Sequence, residues 1–487
     1  MQFNSIQFIL FFIVVIFIYF SISYKYRWFL LLLASYYFYM CWKPEYIFLI
    51  LLSTVIDYYC GLKMGECDDK IKRKPFLLIS ITTNLGILFF FKYFNFFSDS
   101  TRYLLNQFNI FYDLPYFNLL LPVGISFYTF QTLSYSIDVY KGNKKAEKHF
   151  GIFALYVSFF PQLVAGPIER STRLLPQLNN NYQFDYLRCK NGLMLMLWGF
   201  FKKIVIADRL AVLVNTVYSN PMDYQGIPLI LATVFFAFQI YCDFSAYSDI
   251  AIGASKIMGY DLMKNFNRPY FSKSISEFWR RWHMSLGSWF RDYLYFPLGG
   301  NKMGQYCWYQ NIMLVFLISG LWHGASWNFI IWGGLHGFYI LIGLLLKGIK
   351  KYIINFLKLN KQIFPYKLIQ VIYTFILVNF AWIFFRANTF NEAIYIIKNI
   401  FIINSNVIYD KSLHKLGLDE KDLYLSILLI LFLLIIQLIQ RKINIINWIN
   451  SKPVIVRWSL YMIGIYSIII FGFYAQGDQT QFIYFQF

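Results

Sequence analysis

Residues 320–337, GLWHGASWNFIIWGGLHG, close one apolar run and open the next, and besides tryptophan only two histidines, one serine and one asparagine carry hydrogen-bonding side chains. Gly320 and Gly324 stand one helical turn apart, the arrangement that lets two helices, or a helix and a substrate, approach backbone to backbone in lipid. The flanking runs at 311–325 and 328–346 belong to a longer series, at 6–23, 28–42, 45–62, 76–94, 119–140, 192–218, 228–252, 366–385, 423–440 and 455–475. A bilayer core of about 30 Å is crossed by runs of this kind. The runs at 28–42 and 311–325 are short, and 150–165 is shorter than a comfortable span and ends in Pro161 and Gly166-Pro167, which predicts a re-entrant or half helix. The expectation is an all-α polytopic membrane protein with about eleven transmembrane helices and re-entrant or interfacial pieces.

Composition agrees. Hydrophobic residues make up 58% of the 487, aromatic residues 22% and charged residues only 14%, with a mean hydropathy of +0.49. A soluble domain of this size does not tolerate that surface. No long polar linker or low-complexity tract separates the apolar blocks, so residues 1–487 read as a single membrane domain. The net charge of +20 collects in short loops rather than in a stripe interleaved with exposed aromatics, which argues against nucleic acid as a partner. Six scattered cysteines form no C-x-x-C pair, so neither a disulfide framework nor a metal site is expected.

The basic loops set the orientation. Lys25 and Arg27, then Lys63 to Lys74, then Lys141 to Lys148, alternate with nearly uncharged loops, and later Lys347 to Lys361 and Arg441 to Arg457 mark two more cytoplasmic stretches. Both termini are thereby expected on the outer face. The run at 6–23 has no basic n-region and is expected to stay as a first span. Lys202 and Lys203, inside an apolar run, predict a broken helix or a water-filled cavity.

Polar residues at membrane depth are costly, so they are the candidates for chemistry. On one continuous helix through 276–293, Phe278, Trp282, Trp289 and Tyr293 would form an aromatic stripe, with Arg280, His283, Gly287 and Arg291 on another face. Arg280 and Arg281 then either snorkel to an interface or neutralise an anionic acyl donor. His323 is placed either to hydrogen-bond between helices or to act as general base toward a hydroxyl. His336 reads as structural, and His149 and His414 lie in polar loops. Asp243 and Asp249, in a hydrophobic run, each need a cationic partner or a wet cavity. The aromatic tail at 476–487, ending in FIYFQF, either anchors at the membrane interface or folds back and presents the Tyr484 hydroxyl as a nucleophile.

Four motifs carry a resemblance. FWRRWHMSLGSWFRDYLYFPLGGN at 278–301 and GLWHGASWNFIIWGGLHG at 320–337 resemble the membrane-bound O-acyltransferase family. FFPQLVAGPIER at 159–170 and YCDFSAYSDIAIG at 241–253 are similar to further hallmarks of its bacterial branch, which acetylates alginate or peptidoglycan and includes the D-alanyl transfer membrane protein. The resemblance implies a helical fold with a central funnel or tunnel, catalytic core motifs within 119–345, and residence in the bacterial cytoplasmic membrane. His323 matches the family's buried catalytic histidine and His283 the second histidine on the cytoplasmic side. The D-alanyl systems use a small separate protein ending in F-x-Y-F-x-F, which makes Tyr484 the candidate acyl relay. Trp282, Trp322, Asp243 and Asn328, with Arg280 and Arg281, are expected along the donor site or tunnel.

The implied activity is O-acetyl transfer from a cytoplasmic thioester, acetyl-CoA, to a cell-wall or secreted polysaccharide, with no tightly bound cofactor. The expected partners are membrane lipid, the glycan acceptor and a separate periplasmic or extracellular SGNH-type acetyltransferase. A D-alanyl transferase of teichoic acids, or a glycan or lipid transporter that makes no bond, are the competing readings.

Overall fold

The computed structural model describes residues 1–110, 115–117, 120–164, 166–358, 360–402, 416–474 and 482–483. Among the described residues the regular structure is entirely helical, as lipid requires of a chain that must satisfy its own backbone N–H and C=O groups. Among the described residues seven helices are long and apolar enough to span a bilayer: Pro44–Glu66, Lys70–Gln107, Ile227–Met258, Trp327–Leu345, Phe364–Arg386, Glu420–Ile439 and Val454–Phe471. Ile6–Ser21 is a shorter apolar helix. Several predicted runs thus form helices that fall short of a full span by length or composition, including Gln305–His323 and Ile125–Lys141.

The chain divides into two compact units, Met1–Leu193 with Ile250–Met263, and Met194–Asp249 with Lys264–Phe487. In the first unit the helices are α1 (Ile6–Ser21), α2 (Tyr24–Met40), α3 (Ile47–Glu66), α4 (Lys70–Leu88), α5 (Phe94–Gln107), α6 (Ile125–Lys141), α7 (Phe150–Ser158), α8 (Phe160–Leu163) and α9 (Ser171–Leu178). A π-helical turn at Phe89–Tyr93 joins α4 to α5, so the apolar run at 76–94 extends into one helix of 38 residues. Where α3, α4 and α6 meet, the buried Asp57 carboxylate accepts hydrogen bonds from Ser80 Oγ at 2.5 Å, Asn84 Nδ2 at 2.8 Å and Ser136 Oγ at 3.2 Å. A carboxyl group so far from water stands only with its lone pairs taken up in this way.

The expected half helix is there. α7 and α8 are short pieces, buried apart from the exposed Phe150 at the start of α7, that break at Phe159, one residue before Phe160-Pro161. Beyond the turn at Gly166, Glu169 is fully buried and its carboxylate accepts the Met263 N–H. Burial pushes this carboxyl from its ordinary 4.5 up to about 7.

In the second unit the chain runs through α10 (Tyr186–Phe200, from Met194), a π-helical stretch at Phe201–Ala207, α11 (Asp208–Ser219) and α12 (Ile227–Met258, to Asp249). Then follow α13 (Ile275–Trp279), α14 (Met284–Phe290), α15 (Gln305–His323), α16 (Trp327–Leu345), α17 (Lys347–Phe356), α18 (Phe364–Arg386), α19 (Phe390–Asn399), α20 (Glu420–Ile439), α21 (Ile445–Asn450) and α22 (Val454–Phe471). The single amphipathic helix expected through 276–293 does not form. His283 takes a left-handed backbone, φ +43°, which ends one helix and starts the next, so Arg280 and His283 share no face.

α15 and α16 pack backbone against backbone. A Cβ on Gly320 would lie 2.2 Å from the Phe329 carbonyl oxygen, and one on Gly333 would lie 2.2 Å from the Phe316 carbonyl oxygen. Only hydrogen fits at either place. Gly333→Val is therefore expected to drive the helices apart and lower thermal stability in detergent by more than the roughly 1–3 kcal/mol of ordinary overpacking, because backbone is struck. Gly334→Ala, whose Cβ would meet Leu317 at an ordinary 3.5 Å, is expected to leave the melting profile unchanged.

Glu169 supplies a second test. Between about pH 4.5 and 7 the folded chain holds a proton on this carboxyl that the unfolded chain has released, so its contribution makes stability fall as pH rises through that window. Melting curves of wild type and Glu169→Gln across roughly pH 4.5–7.5 should converge at the acid end and separate toward neutrality, with the glutamine variant the more stable. A constant offset would contradict a proton held on Glu169.

Candidate active site

The loop before α14 is built around Asn265. Its side-chain Oδ1 accepts from the Ser285 N–H at 3.3 Å and from Ser285 Oγ at 2.9 Å, while its Nδ2 donates to Ser248 Oγ at 3.2 Å. The Met284 N–H donates to the Asn265 carbonyl at 2.9 Å. His283 Nδ1 lies 3.1 Å from the same Oδ1. Because backbone N–H already marks that atom as oxygen, Nδ1 is the protonated nitrogen of the neutral ring and Nε2 carries the lone pair. Asn265 thereby fixes both the unusual backbone at 283 and the tautomer of its imidazole.

The two candidate histidines flank one indole. His323, at the last turn of α15 and 3% exposed, has its ring 4.9 Å from Trp322, 5.0 Å from Trp332 and 5.5 Å from Phe385. Trp322 is in turn 6.0 Å from His283, which is 1% exposed and edge-on to Phe244 at 4.7 Å. Trp282, fully buried, packs on Phe266 at 5.1 Å and on Trp382 at 5.2 Å. His336 sits in the same aromatic cluster, 5.0 Å from Trp279 and 5.1 Å from Trp332. Two imidazoles buried in one aromatic cluster are shielded from bulk water, the setting in which a proton can be moved without being lost to solvent.

The remaining candidates fall in different surroundings. Asn328 donates to the Ala387 carbonyl at 2.9 Å and ties the start of α16 to the end of α18. Arg281 pairs with Glu277 at 2.5 Å, one turn back, and Arg280 is exposed. The π-helical turn puts Lys202 and Lys203 inside the unit, each with an acidic partner: Lys202 lies 2.7 Å from Asp249, and Lys203 lies 2.8 Å from Asp208 and 2.9 Å from Asp243.

Asp243 has a further role. Its Oδ2 accepts the backbone N–H of Ile483 at 2.7 Å, so the carboxylate that balances Lys203 also holds the C-terminal segment. Phe482, fully buried, stacks on Tyr247 at 4.1 Å and approaches Phe244 at 5.7 Å, the ring that touches His283. Tyr484 itself lies outside the described residues. Asn265 was passed over in the sequence because a lone asparagine in a polar loop carries no pattern; its importance comes from contacts with Ser248 and Ser285.

Comparison with known proteins bears on this geometry. Residues 148–385 match the model of the MBOAT, membrane-bound O-acyltransferase family. The chain is 40% identical over 380 residues to a probable alginate O-acetylase of Pseudomonas putida, covering 77% of this chain and 75% of that protein. It is 35% identical over 402 residues to a peptidoglycan O-acetyltransferase of Helicobacter pylori, covering 77% and 73%. A teichoic acid D-alanyltransferase of Streptococcus thermophilus is 30% identical over 246 residues, covering 46% and 57%. With its helical architecture, its spans and relatives matched over three quarters of both chains, this multi-pass membrane protein belongs to the membrane-bound O-acyltransferase family and is an acyltransferase.

Proposed function

We propose that this protein transfers an acetyl group from a cytoplasmic thioester, acetyl-CoA, to the outer side of the bacterial cytoplasmic membrane for O-acetylation of a cell-wall or secreted polysaccharide, with Tyr484 as the acyl carrier. The observation that carries the reading is the buried aromatic cluster in which His323 and His283 flank Trp322 while Phe482 packs on Phe244, a ring in contact with His283. The acceptor class follows from the relatives named for alginate and peptidoglycan. D-alanyl transfer is the weaker reading, because that relative matches only 46% of this chain.

The chemistry balances in two steps. The Tyr484 phenol attacks the thioester carbonyl, the C–S bond breaks and the phenolic proton passes by way of His323 to the leaving thiolate. A hydroxyl, of a separate SGNH-type transferase or of the glycan, then attacks the phenyl ester; its proton returns to the phenolate oxygen as that C–O bond breaks. A phenol with a pKa of about 10 needs such a base at neutral pH. The distribution of lysine-rich loops supports an outward side for both termini and entry of the thioester from the cytoplasmic face.

The test uses purified full-length protein and acetyl-CoA labelled in the acetyl group. Wild type is expected to acquire label on the chain, Tyr484→Phe to acquire none, and His323→Ala to slow labelling by about 10²-fold or more. Label that persists unchanged in both variants rejects the mechanism, and a wild type that never takes label favours a transporter.

A further inference from the structure

A cavity of about 380 Å³ in the second unit is walled by five cationic side chains, Lys202, Lys264, Arg268, Arg441 and Lys442, and by one carboxylate, Asp249. Its volume falls within the roughly 300–1,000 Å³ of small-molecule sites. Asp249 is already engaged by Lys202 at 2.7 Å. Removing that pair from the five leaves four cations in the wall with no ion-pair partner among the described residues.

Arg268 is the most constrained of them. Its backbone is left-handed, φ +50°, and its guanidinium donates through Nε and Nη2 to Asn267 Oδ1 at 3.2 and 3.1 Å. Nη1 is buried and has no hydrogen-bond acceptor among the described residues. Burial, and then the like charges of Arg281 and Arg441, push this guanidinium below its ordinary range, while burial and then Arg268 do the same to Lys264 against the opposing pull of Asp249. Lys264, Arg441 and Lys442 are exposed and Arg268 is half-buried, and like charges set side by side raise one another's energy. A multiply charged anion removes the repulsion and satisfies the idle donor together, and the planar guanidinium fork matches the oxygens of a phosphate.

The lining is not cationic throughout. Trp198, Tyr241 and Phe266 are part of it, and Phe266 lies 5.1 Å from Trp282 and 6.5 Å from His283. Through Phe266 the cavity therefore adjoins the histidine cluster, and its lining includes Arg441 and Lys442, on a loop the positive-inside rule assigns to the cytoplasm.

We propose that this cavity is a phosphate-ester site in which Arg268 and Arg441 grip the phosphate oxygens and Lys264 and Lys442 complete the charge balance. Two molecules bring that chemistry to this place: the phosphorylated end of a pantetheine thioester, an identification that rests on the acyl-transfer reading above, and the headgroup of an anionic phospholipid.

Direct binding separates them. Full-length wild type, Arg268→Ala, Arg441→Ala, Lys442→Ala and His323→Ala are purified, checked for monodispersity, and titrated with desulfo-CoA, which lacks the thiol and cannot be turned over. Wild type and His323→Ala are expected to bind it equally, and each cation variant to bind it roughly tenfold or more weakly. The exposed-loop variant Lys442→Ala keeps the test open should Arg268→Ala fail to fold. In nanodiscs of mixed phosphatidylglycerol and phosphatidylcholine, retention of phosphatidylglycerol that is lost in the same variants, without desulfo-CoA binding, assigns the site to lipid. Binding of both probes that no cation substitution alters, or binding of neither, overturns the site. Desulfo-CoA binding that depends on Arg268 in a protein that never takes acetyl label leaves the site standing and removes the acyl-transfer reading, so the two failures are distinguishable.

Discussion

A carbonyl oxygen stands where a side chain would otherwise begin. The Phe329 oxygen lies 2.2 Å from the Cβ position of Gly320, and the Phe316 oxygen 2.2 Å from that of Gly333, so α15 and α16 meet backbone on backbone through two glycines. In a membrane, where lipid is as apolar as leucine, close packing rather than hydrophobic expulsion holds helices together. That contact fixes the end of α15, and the end of α15 carries Trp322 and His323. The first turn of α16 supplies Asn328, and its next turn Trp332, whose ring lies 5.0 Å from His323. The position of the candidate base is thus an outcome of two hydrogen atoms in place of two methyl groups.

Charge is handled by a second rule. Each buried lysine of the π-helical stretch is matched to aspartate, and the carboxylate of Asp243 serves both Lys203 and the Ile483 N–H. Breaking such a set leaves a naked ion, at a cost of several kcal/mol. The C-terminal segment is therefore held by a group that the second unit needs for its own charge balance. Arg268, Lys264, Arg441 and Lys442, at the more open cavity, form no ion pair among the described residues. Their gathering around one cavity, with the buried Nη1 of Arg268 unsatisfied among the described residues, is what the proposed phosphate site rests on.

Legibility in the sequence followed the range of the interaction that decides each feature. Helices such as Phe364–Arg386 and Glu420–Ile439 were plain because hydropathy is local and the solvent uniform. The break at Phe159 could be read because Pro161 acts on its neighbours. Lys202 and Lys203 announced a disturbed helix, since two adjacent cations in an apolar run must both be turned away from lipid, and the π turn carries them inward to their aspartates. The helix assigned to 276–293 failed because the left-handed backbone at His283 is imposed by Asn265, through Ser285 and the ring itself, and no periodicity records it. The cationic cavity was hidden for the same reason: Arg268 and Arg441 sit in different loops, each an ordinary basic residue until the fold sets them together.

Under the proposed acyl transfer, a charged donor and an uncharged reaction zone share one wall. A thioester brings phosphates that must stay hydrated or paired, and an acyl group that reacts best where water is excluded. Phe266 divides the two requirements: the ring lines the cationic cavity and packs on Trp282 and toward His283. Asn265 and Arg268, on either side of it in sequence, face the two problems separately, one orienting an imidazole and the other offering a buried Nη1 to an anion. A segment of four residues, 265–268, thus carries both the side chain that orients the His283 imidazole and the guanidinium proposed to take a phosphate.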